Sequence, residues 1–185
     1  MVTKESRVSS DDEIFAQLKQ LFGHENVIPE WDVAKNSEDE CTREQYCPRV
    51  DFAVGPFNID TNINHNNMLI ERAYRRRRRL LELLKSQSSS EDKDLEPNEN
   101  PRCFLAIEVE NKSSRKHRLG SIVNASALGK IGIIVASNER VFESLVKIRT
   151  YLEFLERARK TRSAPKNVII VTRESLLKSL RQVSV

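Results

Sequence analysis

Apolar residues in this chain recur at two periods, and the switches between them mark its elements. Ile14, Leu18 and Leu21 stand at helical spacing within "DDEIFAQLKQLFG" (11–23), with Phe15 and Phe22 beside them. Ser10 or Asp11 can cap this helix, acids fill its first turn and Gly23 ends it. "ENVIPEWDVA" (25–34) predicts a strand edged by Pro29, and the polar "KNSEDECTREQYC" (35–47) predicts a loop. "PRVDFAVGPFNID" (48–60) begins as an alternating strand and is expected to turn at Gly55-Pro56. "NHNNMLIERAYRRRRRLLELLKS" (64–86) predicts a helix carrying an exposed arginine block. The acidic, low-complexity "QSSSEDKDLEPNENP" (87–101) predicts a flexible surface excursion.

Beyond residue 102 strand and helix patterns alternate closely. Strand "CFLAIEVEN" leads to helix "KHRLGSIVNASALGK", strand "IGIIVAS" and helix "NERVFESLVKIRTYLEFLERARK". Strand "KNVIIVT" and helix "RESLLKSLRQV" follow. Phe142, Leu145, Leu152 and Leu155 line one face of the long helix, as core packing requires. Such alternation predicts an α/β fold, a three-layer α/β/α sandwich around a central mixed sheet. Gly120 and Ala125 are expected to let a helix approach the sheet closely. At 185 residues the chain reads as one domain, with 61–101 inserted as a basic helix and an acidic flexible stretch.

Composition narrows the class. With 38% hydrophobic and 31% charged residues the chain reads as a soluble globular protein. No apolar run approaches the roughly 18 residues of a membrane span, so no membrane partner is expected. The opening "MVTKESRVSSDDE" has no apolar signal-peptide core. Three cysteines, Cys41, Cys47 and Cys103, form no framework and suit reduced thiols in an intracellular setting, cytoplasmic or nuclear. His24, His65 and His117 have no ligand spacing, and the glycines form no phosphate-binding fingerprint. The net charge of +4 is modest, but basic residues crowd into 74–85, 111–118 and 157–162. Acidic residues crowd into 36–40 and 88–100, so the near-neutral total hides local basic fields.

Three carboxylates stand out because each lies on an expected strand among apolar neighbours. Asp51 follows Val50 in "PRVDFAVG", and Glu108 and Glu110 share one side of "FLAIEVENK". Like charges so placed repel each other and lose hydration near a core. A divalent cation would neutralise them, and Mg²⁺ or Mn²⁺ takes one or two carboxylates while keeping water and substrate phosphate.

With these motifs the chain resembles the PD-(D/E)xK nuclease superfamily, the restriction-endonuclease-like fold. "PRVDFAVG" resembles the first motif, with Asp51 as its acid, and "FLAIEVE" the second, with Glu108 as its acid. "HRLGSIVNASALGKIGIIVAS" is similar to the helix and strand that close the family core. The resemblance covers roughly residues 10–60 and 102–172. It implies a restriction-endonuclease-like core and metal-assisted hydrolysis of phosphodiester bonds, with DNA as the expected substrate. Asp51, Glu108 and Glu110 would be the metal ligands, and Lys112 or Lys130 would stabilise phosphoryl charge. Glu13 is a further candidate acid, supplied by the first helix. Val50 stands in place of the family's proline, and Glu110 in place of its lysine. In a second register, Glu110-Asn111-Lys112 itself reads ExK. Double-strand cutters often work as pairs, so a homodimer is also an expectation.

Each feature has a plainer alternative. Glu108, Glu110 and Lys112 can form a solvated salt-bridged edge, and Asp51 can cap a turn or pair with Arg49. Arg75, Arg76, Arg77, Arg78 and Arg79 can be a solvated face or can bind nucleic-acid phosphates, together with Arg115 and Lys116. A catalytically inactive module of the same fold, binding nucleic acid or a protein, is the alternative function.

Overall fold

The computed structural model describes residues 10–33, 48–59, 63–88, 95–111 and 114–183. Five strands form one mixed sheet in the order β1-β2-β3-β4-β5. These are β1 (Val27–Asp32), β2 (Arg49–Phe57), β3 (Cys103–Glu110), β4 (Gly129–Ala136) and β5 (Val168–Thr172). The first three are antiparallel neighbours, whereas β3, β4 and β5 run parallel. Among the described residues six α-helices accompany them: α1 (Ser10–Phe22), α2 (Ile63–Arg76), α3 (Arg78–Ser86), α4 (Arg115–Leu128), α5 (Glu139–Arg157) and α6 (Arg173–Val183). No described helix is long and apolar enough to cross a membrane.

Parallel strands joined by helices must be covered on both faces, and two apolar clusters do this. One packs Ile14 and Leu18 of α1, Ile70 of α2, Leu80 and Leu84 of α3 and Leu176 of α6 against Ile107, Ile133 and Val171. The other packs Ile122 and Ala125 of α4 and Leu145 of α5 against Ala106, Ile134 and Ile170. Helices therefore flank the sheet on both sides. Helix α4 meets the sheet closely at Ala125 and Gly132, where a Cβ on the glycine would lie 2.9 Å from the Ala125 carbonyl carbon. Gly120, expected to share that packing, has nothing within 4 Å of an added Cβ and faces open space.

Two expected elements come out differently. β2 does not turn at Gly55-Pro56; it runs on to Phe57, with its register to β3 shifting between Val54 and Phe57. Proline has no N–H for the ladder, and the shift accommodates it. The expected helix over 64–86 is two helices meeting at Arg77. Their apolar faces have different neighbours: α2 lies on β2 and β3, α3 on α6 and β5. Arg77 itself turns inward, donating to the Leu21 carbonyl at 2.9 Å with its guanidinium over the Phe22 ring. The inserted segment 61–101 contributes Ile70, Leu80, Leu81 and Leu84 to the core. Its acidic end is pinned where described: the Asn98 side chain donates to the carbonyls of Ser126 and Ala127, and its backbone N–H to that of Lys130.

Candidate functional site

The regular pairing of β2 with β3 ends at Phe52 and Ile107. Continuing that register places Asp51 opposite Glu108, two residues at which the strands lose their ladder. The Asp51 carboxylate takes over one ladder bond, accepting the Val109 backbone N–H at 2.7 Å. It also hydrogen-bonds the Glu108 side chain. Two carboxylates in contact can bond only if one keeps its proton, and the environment assigns that proton to Glu108. Burial first, then the Asp51 charge beside it, pushes Glu108 up to about 8 from an ordinary 4.5, with Asn124 opposing by donating a hydrogen bond. Asp51 is raised as well, by burial foremost and by the charges of Glu30 and Asp11. The Val109 N–H and the Glu108 hydrogen bond pull it back.

These groups open into a cleft of about 1000 Å³ between the start of α1 and the first half of α4. Asp11, Asp12, Glu30, Asp51, Glu108 and Glu110 line it, against Arg49 and Lys116 as side-chain cations. Arg49 is held by Glu30 at 3.1 Å and Asp11 by Arg173 at 2.7 Å, so Asp51 does not pair with Arg49. The cleft is left with an acidic interior and Lys116 exposed at its rim.

Glu110, 4% exposed, lines the same cleft and accepts from the Ser121 hydroxyl at 3.2 Å. Its charge raises Glu108 only as the last of several causes. Among the described residues no group of three or more His, Cys, Asp or Glu side chains is arranged to hold a metal ion. The expected three-ligand set is therefore not preformed. Asp51 and Glu108 are the pair in contact, and their all-oxygen chemistry fits a hard cation that keeps most of its water.

Other expected site residues lie elsewhere or outside the description. Lys112 is outside the described residues, as are Cys41 and Cys47. Lys130 lies at the opposite end of the sheet, where β4 starts beside Cys103, and is paired with Glu71 at 3.2 Å. It is held away from Glu108, which pairs in register with Ile134, four residues or about 13 Å further along the ladder. Glu13 pairs with Arg181 of α6, while Asp11 and Asp12 of the same helical turn face the cleft. Among the five arginines, Arg75 pairs with Glu71 and Arg78 with Glu82, both within their own helices. Arg77 is turned to the core, and Arg76 and Arg79 are exposed away from the cleft. Arg115 and Lys116 are exposed at the start of α4. Burial pushes the Cys103 thiol up, consistent with no role as a nucleophile.

Ser121 and Asn124 are the site residues that sequence reasoning missed. Their signal was a polar pair three apart on a helix whose other turns bury Ile122 and Ala125. Comparison with known proteins found no family model, curated protein or solved structure that matches this chain.

Proposed function

We propose that the cleft is the active site of a Mg²⁺- or Mn²⁺-dependent nuclease that hydrolyses DNA phosphodiester bonds, on a restriction-endonuclease-like core. The observation that carries this reading is the contact between Asp51 and Glu108 at the point where β2 and β3 part. Proton sharing between two buried carboxylates is the expected state of a site built for a positive charge. The sheet supports it too: an antiparallel pair brings the two acids together, and the parallel crossover through α4 forms the cleft wall.

On this reading Asp51 and Glu108 hold the cation. When bound, it would polarise a phosphoryl oxygen and ease ionisation of a water. Asn124 orients Glu108, Ser121 orients Glu110, and Glu110 is placed to accept a proton from water in the cleft. Lys116 at the rim offers a phosphate contact, with Lys112 a further candidate.

A second reading, a non-catalytic module of the same fold, is favoured by one specific observation. Glu110 stands where the resemblance calls for lysine, and Lys130 is committed at the far end of the sheet. A cleavage assay decides between them. DNA and RNA are incubated with Mg²⁺ or Mn²⁺ and wild-type protein, Asp51→Asn or Glu108→Ala. Cation-dependent cleavage lost in both variants supports the nuclease. Binding without cleavage, unchanged in Glu108→Ala, selects the module. Absence of both cleavage and nucleic-acid binding sinks the nuclease and leaves the module only as a protein-binding one.

A further inference from the structure

Helix α5 starts beside the cleft end of β4 and ends at the opposite end of the sheet, ahead of β5. Its outer face carries two large exposed aromatics, Tyr151 at 57% and Phe154 at 52% exposure. Their rings lie 26° from parallel with centroids 6.4 Å apart, near the loose limit of about 7 Å for a ring pair, so each gains little from the other. Lys147 precedes them one turn earlier on the same exposed stripe, and Arg157 follows one turn later.

The chain then leaves the helix through a capping motif. The Arg159 N–H bonds the Glu156 carbonyl and the Lys160 N–H the Leu155 carbonyl, both at 2.8 Å. This cap puts Arg159 at φ 55, in the left-handed region where glycine is the usual residue. An arginine held there costs backbone energy that a glycine would not. Arg157, Arg159, Lys160 and Arg162 are all exposed, and none forms an ion pair with another described residue. The acids on this part of α5 are engaged inward: Glu156 pairs with Lys166 at 3.4 Å, and Glu153 lies 3.6 Å from Arg149.

We propose that Tyr151, Phe154 and the cations Lys147, Arg157, Arg159, Lys160 and Arg162 form a binding surface for single-stranded nucleic acid. Bases stack on the two rings, and the cations take the phosphates on either side. Stacking platforms flanked by a basic track bind single strands without regard to sequence, since every base has an aromatic face. Two rings are too little apolar area to insert into a bilayer, and positive charge left unpaired among the described residues suits a polyanion better than an apolar protein face. The surface does not depend on the cleft being catalytic.

The test is fluorescence anisotropy of the full-length protein with a labelled oligothymidylate in EDTA, so that cleavage does not intrude. Tyr151→Ala with Phe154→Ala should weaken binding at least about tenfold, since each stacked base is worth that order. Arg159→Gly should weaken binding while leaving the melting temperature unchanged or higher, because glycine suits the cap. Replacing Arg157, Arg159, Lys160 and Arg162 together should lower the slope of log K against log salt by about 0.7 for each phosphate no longer neutralised. Absence of oligonucleotide binding by wild type, or unchanged affinity in the aromatic variant, overturns the proposal. So does binding of wild type to phosphatidylserine vesicles with the same aromatic dependence and no oligonucleotide binding. Duplex cleavage can persist or be absent in either case, so failure here is distinct from failure of the nuclease reading.

Discussion

Asp51 accepts the backbone N–H of Val109 at 2.7 Å, replacing a ladder bond where β2 and β3 separate. The same carboxylate is thus both a strand-pairing element and half of the acid pair. Removing its oxygens leaves a half-buried donor without its partner, at a cost of about 1–3 kcal/mol. Asp51→Asn keeps an acceptor of the same shape, so Asp51→Ala should be the less stable of the two by about that amount. Urea denaturation of both variants measures the difference.

Glu108 imposes a pH dependence on stability. Its folded value, about 8, lies above its ordinary 4.5, so the native state holds a proton that the unfolded chain has lost between those limits. The stabilisation is complete below the lower value and is lost as pH rises through the higher one. Wild-type stability relative to Glu108→Gln should therefore fall steadily from about pH 4.5 to about pH 8. Denaturation midpoints of the two proteins across that range check the sign. A flat difference would place the proton elsewhere.

Cation binding should show the same proton in reverse. Mg²⁺ or Mn²⁺ must displace it from the pair, so affinity should rise towards pH 8 and each binding event should release up to one proton. Calorimetry in buffers of different ionisation enthalpy reads that number directly. In Glu108→Gln the proton release should vanish along with most of the affinity.

Two glycines should respond oppositely to alanine. Gly132→Ala forces a Cβ to within 2.9 Å of the Ala125 backbone, which cannot move without shifting α4, and should cost about 1–3 kcal/mol. Gly120→Ala meets nothing within 4 Å in the interior of α4 and should gain up to about 1 kcal/mol of helix stability. Thermal denaturation of the pair tests both.

Arginines 75–79 should not behave alike. Arg77→Ala removes the bond to Leu21 and the packing on Phe22, for an expected loss of about 1–2 kcal/mol. Arg76→Ala and Arg79→Ala should stay within about 0.5 kcal/mol of wild type. If the exposed pair contacts nucleic acid, replacing both will instead lower the salt slope of binding; an unchanged slope removes them from the interface.

What the sequence determined by itself follows from local periodicity and runs of like residues. The apolar runs 103–107, 131–136 and 168–171 lie in strands buried on both faces, and no solvent-exposed arrangement suits such runs. The helices between them, the mixed sheet and the unusual acids at Asp51, Glu108 and Glu110 were legible for the same reason. Tertiary structure decided what depends on partners distant in sequence. Strand pairing across 58 residues brought Asp51 to Val109, and Gly55-Pro56 read as a turn because the β3 ladder that carries β2 through it has no local signature. Arg77 looked like its neighbours until Phe22 and the Leu21 carbonyl gave it somewhere to go. Lys130 and Glu13 had the right charge, but their distance from the site was set by strand direction and helix phase. Residue type fixes what a side chain can do, whereas only the packed sheet fixes which others it can reach.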